Sequence, residues 1–211
     1  MSKVNCIVVG LNEWERYTKP CLESIKRTNP DFIVTCVDNG SDVPYPNYPG
    51  VGYVRSQCKR SYAGGINLGL KWGEPADWYV ILNNDIIFHE NLYCHFAGLD
   101  CNKLYGFKKW KAGTAGMPTE YLAGWALLLS HRVYRILGEF DELCAPMWFE
   151  DADYSIRALE EGIELVELNR AEWGIQHLED ERMDERKEYM KRNMDCRQAV
   201  KSYVRRKHGY Y

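Results

Sequence analysis

The stretch Val80-Ile81-Leu82-Asn83-Asn84-Asp85-Ile86-Ile87-Phe88 places two amides and one carboxylate between two apolar runs. Short apolar runs rich in β-branched residues are typical of buried strands. A carboxylate inside such a run is costly unless it is paired or bound to a metal. We therefore expect Asp85 to lie at an exposed strand end facing a cation, although a solvated turn would also explain it.

The first half of the chain alternates strand-like and helix-like segments. Apolar runs at residues 4–10, 32–37 and 51–54 predict strands before the one at 80–88, and a helix opened by Gly64 and Gly65 precedes that strand. This alternation predicts an α/β domain with a mixed, mostly parallel central sheet flanked by helices. Ligands of such sheets bind at the carboxyl ends of the strands, where Asp38 and Asp85 are placed.

The chain length of 211 residues suits one domain. We expect residues 1–178 to form it and residues 179–211 to add a C-terminal helix packed on the same domain. Between them, residues 99–119 are expected to form a loop, residues 121–129 a strand, and residues 148–161 a helix that Gly162 ends.

Composition excludes several classes of protein. A formal net charge of -3 argues against duplex nucleic acid as the main partner. The eight cysteines lack the close spacing of a zinc site and the density of a secreted scaffold, which indicates a reduced, cytoplasmic protein. No apolar run approaches the ~18 residues of a membrane span, so we expect no transmembrane segment.

Acidic side chains gather at the predicted strand ends and helix starts, with one histidine after them. They are Asp38, Asp85, Glu150, Asp151 and Asp153, followed by His177. Carboxylates with one imidazole suit Mg²⁺ or Mn²⁺ better than zinc. A hard cation with few protein ligands completes its shell with phosphate and water, which indicates a nucleotide substrate. Each residue also has a structural explanation, such as a turn for Asp38, helix-start charges for Glu150, Asp151 and Asp153, or a structural histidine.

The order of these motifs resembles the family 2 glycosyltransferases of the GT-A fold over roughly residues 3–178. The matching segments are residues 7–12, Val37-Asp38-Asn39-Gly40-Ser41, residues 62–69, Asn83-Asn84-Asp85, Ala123-Gly124-Trp125, residues 138–142 and residues 149–157. The segment at 62–69 is similar to that of the rhamnosyltransferase-like branch. A narrower resemblance is to the N-terminal domain of virus-encoded glycosyltransferases that build capsid glycans, which would place the protein in the host cytoplasm.

The resemblance implies a metal-dependent, inverting glycosyltransferase. Asp151 would be the general base, with Glu150 beside it, and Asp85 and His177 would hold Mn²⁺ or Mg²⁺. The donor would be a nucleotide sugar of the UDP-glucose or UDP/dTDP-rhamnose type, bound by Val9, Gly10, Asn12, Asp38, Gly64, Gly65, Asn67, Asn83, Asn84 and Asp85. Asp38 would accept the N3–H of the pyrimidine. A glycan or glycoprotein acceptor would contact Gly124, Trp125 and Trp148, and no nucleic acid is expected.

One departure from the family pattern affects the metal site. Asn83 stands where the usual motif has its first acid, so affinity for the metal should be low without the nucleotide. Three alternatives stay open: a sugar-nucleotide nucleotidyltransferase, a DNA-base glucosyltransferase that uses the basic stretches 108–111 and 197–207, and a carbohydrate-binding module that uses the tryptophans.

Overall fold

The computed structural model describes residues 2–178, 188 and 191–210. The strands in this part of the chain are β1 Val4–Gly10, β2 Ile33–Asp38, β3 Gly52–Arg55, β4 Trp78–Asn83, β5 Ile86–Phe88, β6 Leu104–Gly106, β7 Lys109–Trp110, β8 Tyr121–Leu122, β9 Ala126–Ser130, β10 Leu165–Glu167 and β11 Ile175–His177. The α-helices are α1 Lys19–Thr28, α2 Tyr62–Trp72, α3 Tyr93–Phe96, α4 His131–Leu137, α5 Glu150–Glu160 and α6 Met194–Lys207. A π-helical turn at Trp14–Thr18 precedes α1, and a 3₁₀ turn lies at Thr114–Gly116.

A seven-stranded sheet in the order β10-β6-β9-β4-β1-β2-β3 forms the centre of the molecule. Strand β9 runs antiparallel to its neighbours β4 and β6, and the other adjacent strands pair in parallel. The predicted α/β class with a mixed, mostly parallel central sheet is therefore confirmed. The carboxyl ends of β1, β2 and β4 meet at one edge, which places Asp38 opposite Gly10 and Asn83 opposite Val9.

Strand β1 is buried along its length because both faces of the sheet are covered. Cys6 and Val8 join an apolar cluster with Leu22 of α1. The next residues along the strand point to the other face, where Ile7 joins a second cluster that includes residues of α2. Helix α2 approaches so closely that a Cβ on Gly69 would lie 2.4 Å from Ile7 Cγ2, which explains a glycine inside this helix.

Two predictions for the second half of the chain are wrong. Residues 99–119 are not a loop throughout, because they contain β6 and β7. The apolar run 121–129 is not one strand, since it divides into β8 and β9 around Gly124. Periodicity does not reveal that break, because the interrupted stretch is itself apolar.

Helix α6 packs on α5 through an apolar cluster that includes Val200 and Val204. Lys207 Nζ also donates to Asp141 at 2.7 Å and to Asp153 at 2.6 Å. The predicted C-terminal helix is thus seen over residues 194–207, and residues 179–187 and 189–190 lie outside the described residues. No helix in the described part of the chain combines the length and apolar character needed to cross a bilayer.

Candidate active site

Asp85 and His177 meet through a small second sheet. Strand β5 pairs antiparallel with β11, with His177 opposite Ile86. Leu178 N–H donates to the Asp85 carbonyl at 3.0 Å, which continues the pairing to the site. His177 Nε2 lies 3.4 Å from Asp85 Oδ1, and both side chains are buried. The structure therefore brings together the two predicted metal ligands.

This pair fits a divalent cation that takes most of its ligands from elsewhere. Adjacent ligands of an octahedral Mn²⁺ or Mg²⁺ lie about 3 Å apart, close to the separation of the two side-chain atoms. Trp125 stacks on the His177 ring, with centroids 4.7 Å apart and planes 15° apart, which fixes the ring's orientation. Residues 2–178, 188 and 191–210 contain no group of three or more potential metal-binding side chains. A cation bound here would need oxygen ligands from a substrate.

Glu150 and Asp151 open helix α5 directly after a strained turn. Trp148 and Phe149 have φ angles of 79° and 62°, a left-handed conformation that is costly for large side chains. The turn aims Asp151 at the break between β8 and β9, where its Oδ2 accepts the Gly124 N–H at 2.8 Å. A Cβ on residue 124 would lie 3.0 Å from the Asp151 Cβ, so glycine permits this close approach.

Burial raises the pKa of both carboxyl groups. The pKa of Glu150 rises to about 8 through burial and the adjacent charge of Asp151. Burial raises the pKa of Asp151 to about 6, although backbone N–H groups of Gly124 and Ala152 oppose the rise. Carboxyl groups that hold protons near neutral pH are common where proton transfer takes place.

The raised pKa values predict that the metal-free protein loses stability as the pH rises. Between about pH 5 and about pH 8 the folded state keeps protons that the unfolded chain releases, so the free energy of unfolding falls with increasing pH. The slope is up to about 1.4 kcal/mol per pH unit for each such proton. Glu150→Gln should flatten this fall, as urea unfolding at several pH values would measure. Parallel pH profiles for the two proteins would contradict the prediction, and the exposed Glu161→Gln offers a control on the same helix.

A cavity of about 1110 Å³ is lined by His177 of the candidate metal pair and by both Glu150 and Asp151. The predicted site residues that line it are Asn83, Gly124, Trp125, Trp148, Glu150, Asp151 and His177. Asn83 also donates its backbone N–H to the Trp125 carbonyl at 2.9 Å, which holds the end of β4 against the break. His177 of the candidate metal pair and both acids of α5 thus face a common space.

Asp38 is fully buried, and its carboxylate is occupied within the protein. Oδ1 accepts the Ser41 N–H at 2.8 Å, and Oδ2 accepts the Tyr45 N–H and the Tyr53 hydroxyl, both at 3.1 Å. Arg55 adds an ion pair. Burial acts to raise the pKa of Asp38, but the hydrogen bonds outweigh it and hold this pKa below its ordinary value. A pyrimidine N3–H would have to displace one of these donors, so direct contact between Asp38 and the base stays a prediction.

Other predicted donor residues pack or bond inside the protein. Asn67 Nδ2 donates to the Phe140 carbonyl at 2.9 Å, and Asn67 Oδ1 accepts the Phe140 N–H at 2.8 Å. A Cβ on Gly65 would lie 2.7 Å from Val9, which explains that glycine by packing. Packing also explains two further glycines, since Gly10 lies against the Tyr45 hydroxyl and Gly64 against Glu142. Asn84 is bonded within the protein, because its Nδ2 donates to Thr18 Oγ1 at 2.9 Å.

Asn12 links the loop after β1 to the loop after β2. Its backbone N–H donates to Ser41 Oγ at 2.8 Å, and its carbonyl accepts the Tyr45 hydroxyl at 2.6 Å. Its φ angle is 56°, a conformation that asparagine tolerates better than most residues. The donor-contact roles of Asn12, Val9, Gly10, Gly64, Gly65, Asn67 and Asn84 stay predictions.

Several residues that line the cavity are not among the predicted site residues, including Tyr62, Tyr121, Lys108, Arg170 and Arg197. Arg197 comes from α6, and its guanidinium lies over the Phe149 ring, 5.1 Å from the centroid. The C-terminal helix therefore contributes to the wall of the cavity. Local sequence offers no signal for this contact, because Arg197 resembles the other basic residues of an amphipathic helix.

No protein-family model and no curated protein sequence matches this chain. Solved structures that share its fold at low sequence identity include the following three. The mannosyltransferase PcManGT from Pyrobaculum calidifontis, solved with GDP-Man and Mn²⁺, is 15% identical with a TM-score of 0.62, covering 80% of this chain and 55% of that one. GalNAc-T7, solved with UDP, GalNAc and Mn²⁺, is 10% identical with a TM-score of 0.64, covering 78% and 41%. TarS 1-349 from S. aureus is 18% identical with a TM-score of 0.55, covering 74% and 55%.

The chain has the GT-A fold. It spans about half the length of these three proteins. In this GT-A chain, Asp85 follows β4 of the central sheet, and Glu150 and Asp151 open α5.

Proposed function

We propose that this chain is a metal-dependent, inverting glycosyltransferase. It would move a sugar from a UDP-type nucleotide sugar, such as UDP-glucose or UDP- or dTDP-rhamnose, to a hydroxyl of a glycan or glycoprotein acceptor. The observation that carries the proposal is the common cavity: His177 of the candidate metal pair and the Asp151 carboxylate line one space in a GT-A fold. Mn²⁺ in two of the compared structures supports the choice of metal.

In the proposed reaction, Asp151 takes the proton of the acceptor hydroxyl. The acceptor oxygen forms a bond to the anomeric carbon while the bond from that carbon to the diphosphate oxygen breaks. A bound divalent cation would neutralise charge on the departing diphosphate. The Gly124 N–H donates to Asp151 Oδ2 and the Ala152 N–H to Oδ1, each at 2.8 Å, and these two bonds orient the carboxylate at the cavity. Each carboxylate oxygen has a second lone pair that can accept a proton. The acceptor would contact Trp125 and Trp148, which both line the cavity. The Trp125 ring also stacks on His177 and on Phe107.

Assignment to family 2 and its rhamnosyltransferase-like branch rests on the order of the sequence motifs. The narrower resemblance to viral capsid-glycan enzymes and a cytoplasmic location are proposals of the same kind. The structure offers little support for a DNA-base glucosyltransferase. In the basic stretch 197–207, Lys207 pairs with Asp141 and Asp153, and Arg205 Nη1 donates to the Gly116 carbonyl at 3.2 Å. These cations serve contacts within the domain.

A donor panel tests the proposal directly. Purified protein would be incubated with UDP-glucose, dTDP-rhamnose and GDP-mannose, and release of the nucleoside diphosphate measured with Mn²⁺ or with a chelator. We expect slow hydrolysis of a UDP- or dTDP-sugar that requires Mn²⁺, since water can replace the acceptor. Hydrolysis that is independent of metal, or no hydrolysis of any donor, would contradict the proposal.

A further inference from the structure

Tyr62 begins α2 and faces the cavity. The Ser61 hydroxyl caps the helix by accepting the Gly64 N–H at 3.1 Å. Tyr62 N–H donates to the Pro146 carbonyl at 2.9 Å, which ties the helix start to the segment before Trp148. The backbone of Tyr62 is thus held on both sides.

The Tyr62 hydroxyl is buried and makes no hydrogen bond with the residues that the structure describes. A buried hydroxyl in this state lowers stability, and proteins seldom keep one without a use for it. Glu150 Oε2 shares this property: it is buried, lines the same cavity and has no hydrogen-bond partner among the described residues. Two polar groups therefore face one cavity and do not bond to each other.

The surroundings of Tyr62 place it between the two halves of the site. Burial raises the pKa of its hydroxyl well above the usual value, and the charges of Glu150, Asp85 and Asp151 raise it further. These carboxylates belong to the candidate metal pair on one side and to the candidate base on the other. In a displacement reaction, the reacting sugar occupies the space between the leaving group and the base.

We propose that the Tyr62 hydroxyl and Glu150 Oε2 bind hydroxyl groups of the sugar that is transferred. A sugar hydroxyl both donates and accepts, so it can accept from Tyr62 and donate to Glu150. The inference rests on the proposed function and deepens it, because it assigns residues that recognise the hexose rather than the nucleotide. Tyr62 would thereby help to determine which sugars are accepted.

The test compares UDP-glucose with UDP, each in the presence of Mn²⁺, by titration calorimetry on wild-type protein and Tyr62→Phe. Loss of one hydrogen bond to the sugar should weaken UDP-glucose binding about 5- to 10-fold. Binding of UDP should stay unchanged, because it has no sugar at this position. The melting temperature of Tyr62→Phe should equal or exceed that of the wild type, since the hydroxyl has no protein partner to lose.

Tyr105→Phe is a matched control with the opposite signature. Its hydroxyl donates to the Asp100 carbonyl at 3.1 Å and accepts the Asp100 N–H at 2.8 Å. This variant should lose stability and keep its affinity for UDP-glucose. Equal affinity of Tyr62→Phe and wild type for UDP-glucose would overturn the inference, as would equal weakening of UDP and UDP-glucose. Failure of the wild type to bind any of UDP, UDP-glucose, dTDP and dTDP-rhamnose would instead refute the proposed function, and the inference with it.

Discussion

Asp151→Asn is expected to abolish sugar transfer while leaving donor binding intact. Asparagine keeps the shape of the side chain, and its one oxygen can still accept the Gly124 N–H while the bond from the Ala152 N–H is lost. It cannot take a proton from an acceptor hydroxyl. A general base contributes about 10²- to 10⁴-fold to the rate, so turnover should fall by that factor. Steady-state assays of transfer, combined with calorimetric titration of the donor in the presence of Mn²⁺, would separate the two effects.

Glu161→Gln is the matched control for this variant. Glu161 is an exposed acid at the far end of α5, so its replacement should change neither turnover nor donor affinity. Turnover of Asp151→Asn within a few-fold of the wild type would show that Asp151 is not the base. A parallel loss of donor affinity would show instead that the substitution disturbs the break between β8 and β9.

The sequence predicts those parts of the site in which the signal is local. Asp85 follows an apolar strand, and Glu150 and Asp151 open a helix whose end Gly162 marks. Each of these signals requires only neighbouring residues and the periodicity of one element. The α/β class follows in the same way, because it depends on the alternation of elements and not on their order in space.

Local sequence patterns do not predict contacts made by distant segments, and only the resemblance in motif order predicts that Asp85 and His177 meet. His177 reaches Asp85 only because β11 pairs with β5, and both strands are too short to show a period. The approach of Gly124 to Asp151 depends on the insertion of β9 as the antiparallel strand between β4 and β6. The sequence places Tyr62 at a glycine-rich helix start, but its position in the cavity wall depends on the segment around Pro146, which is distant along the chain.

Polar residues near strand ends also serve the fold, which a linear motif cannot show. Asn67 exchanges two hydrogen bonds with Phe140, and Asp38 organises the turn from Ser41 to Tyr45. Asp38 is an example of this ambiguity. The motif assigns this aspartate to a ligand, but its carboxylate has four donors within the protein. Sequence identifies the neighbourhood of a site better than the role of each residue in it.

Asp85→Asn is expected to remove the part of donor binding that depends on metal. Asp85 and His177 supply two ligands, and Asn83 adds no charge, so Mn²⁺ alone should bind weakly to the wild type. UDP supplies the missing oxygens, and each ligand should therefore strengthen binding of the other by the same factor. Without the Asp85 carboxylate, this mutual effect should vanish, and donor hydrolysis should fall by about 10²-fold or more. Titration of UDP with and without Mn²⁺ measures the coupling.

Asp77 provides the matched control, because it is an exposed acid that precedes the same strand at its opposite end. Its Oδ2 accepts the Lys3 N–H at 2.7 Å, far along β4 from Asn83 and the cavity. Asp77→Asn should leave the coupling between Mn²⁺ and UDP unchanged. UDP binding without metal should be equal in the wild type, Asp85→Asn and Asp77→Asn. If Asp85→Asn still bound UDP more tightly with Mn²⁺, the cation would have its ligands elsewhere. His177→Ala should weaken the coupling less than Asp85→Asn, because a neutral imidazole contributes no charge to the cation.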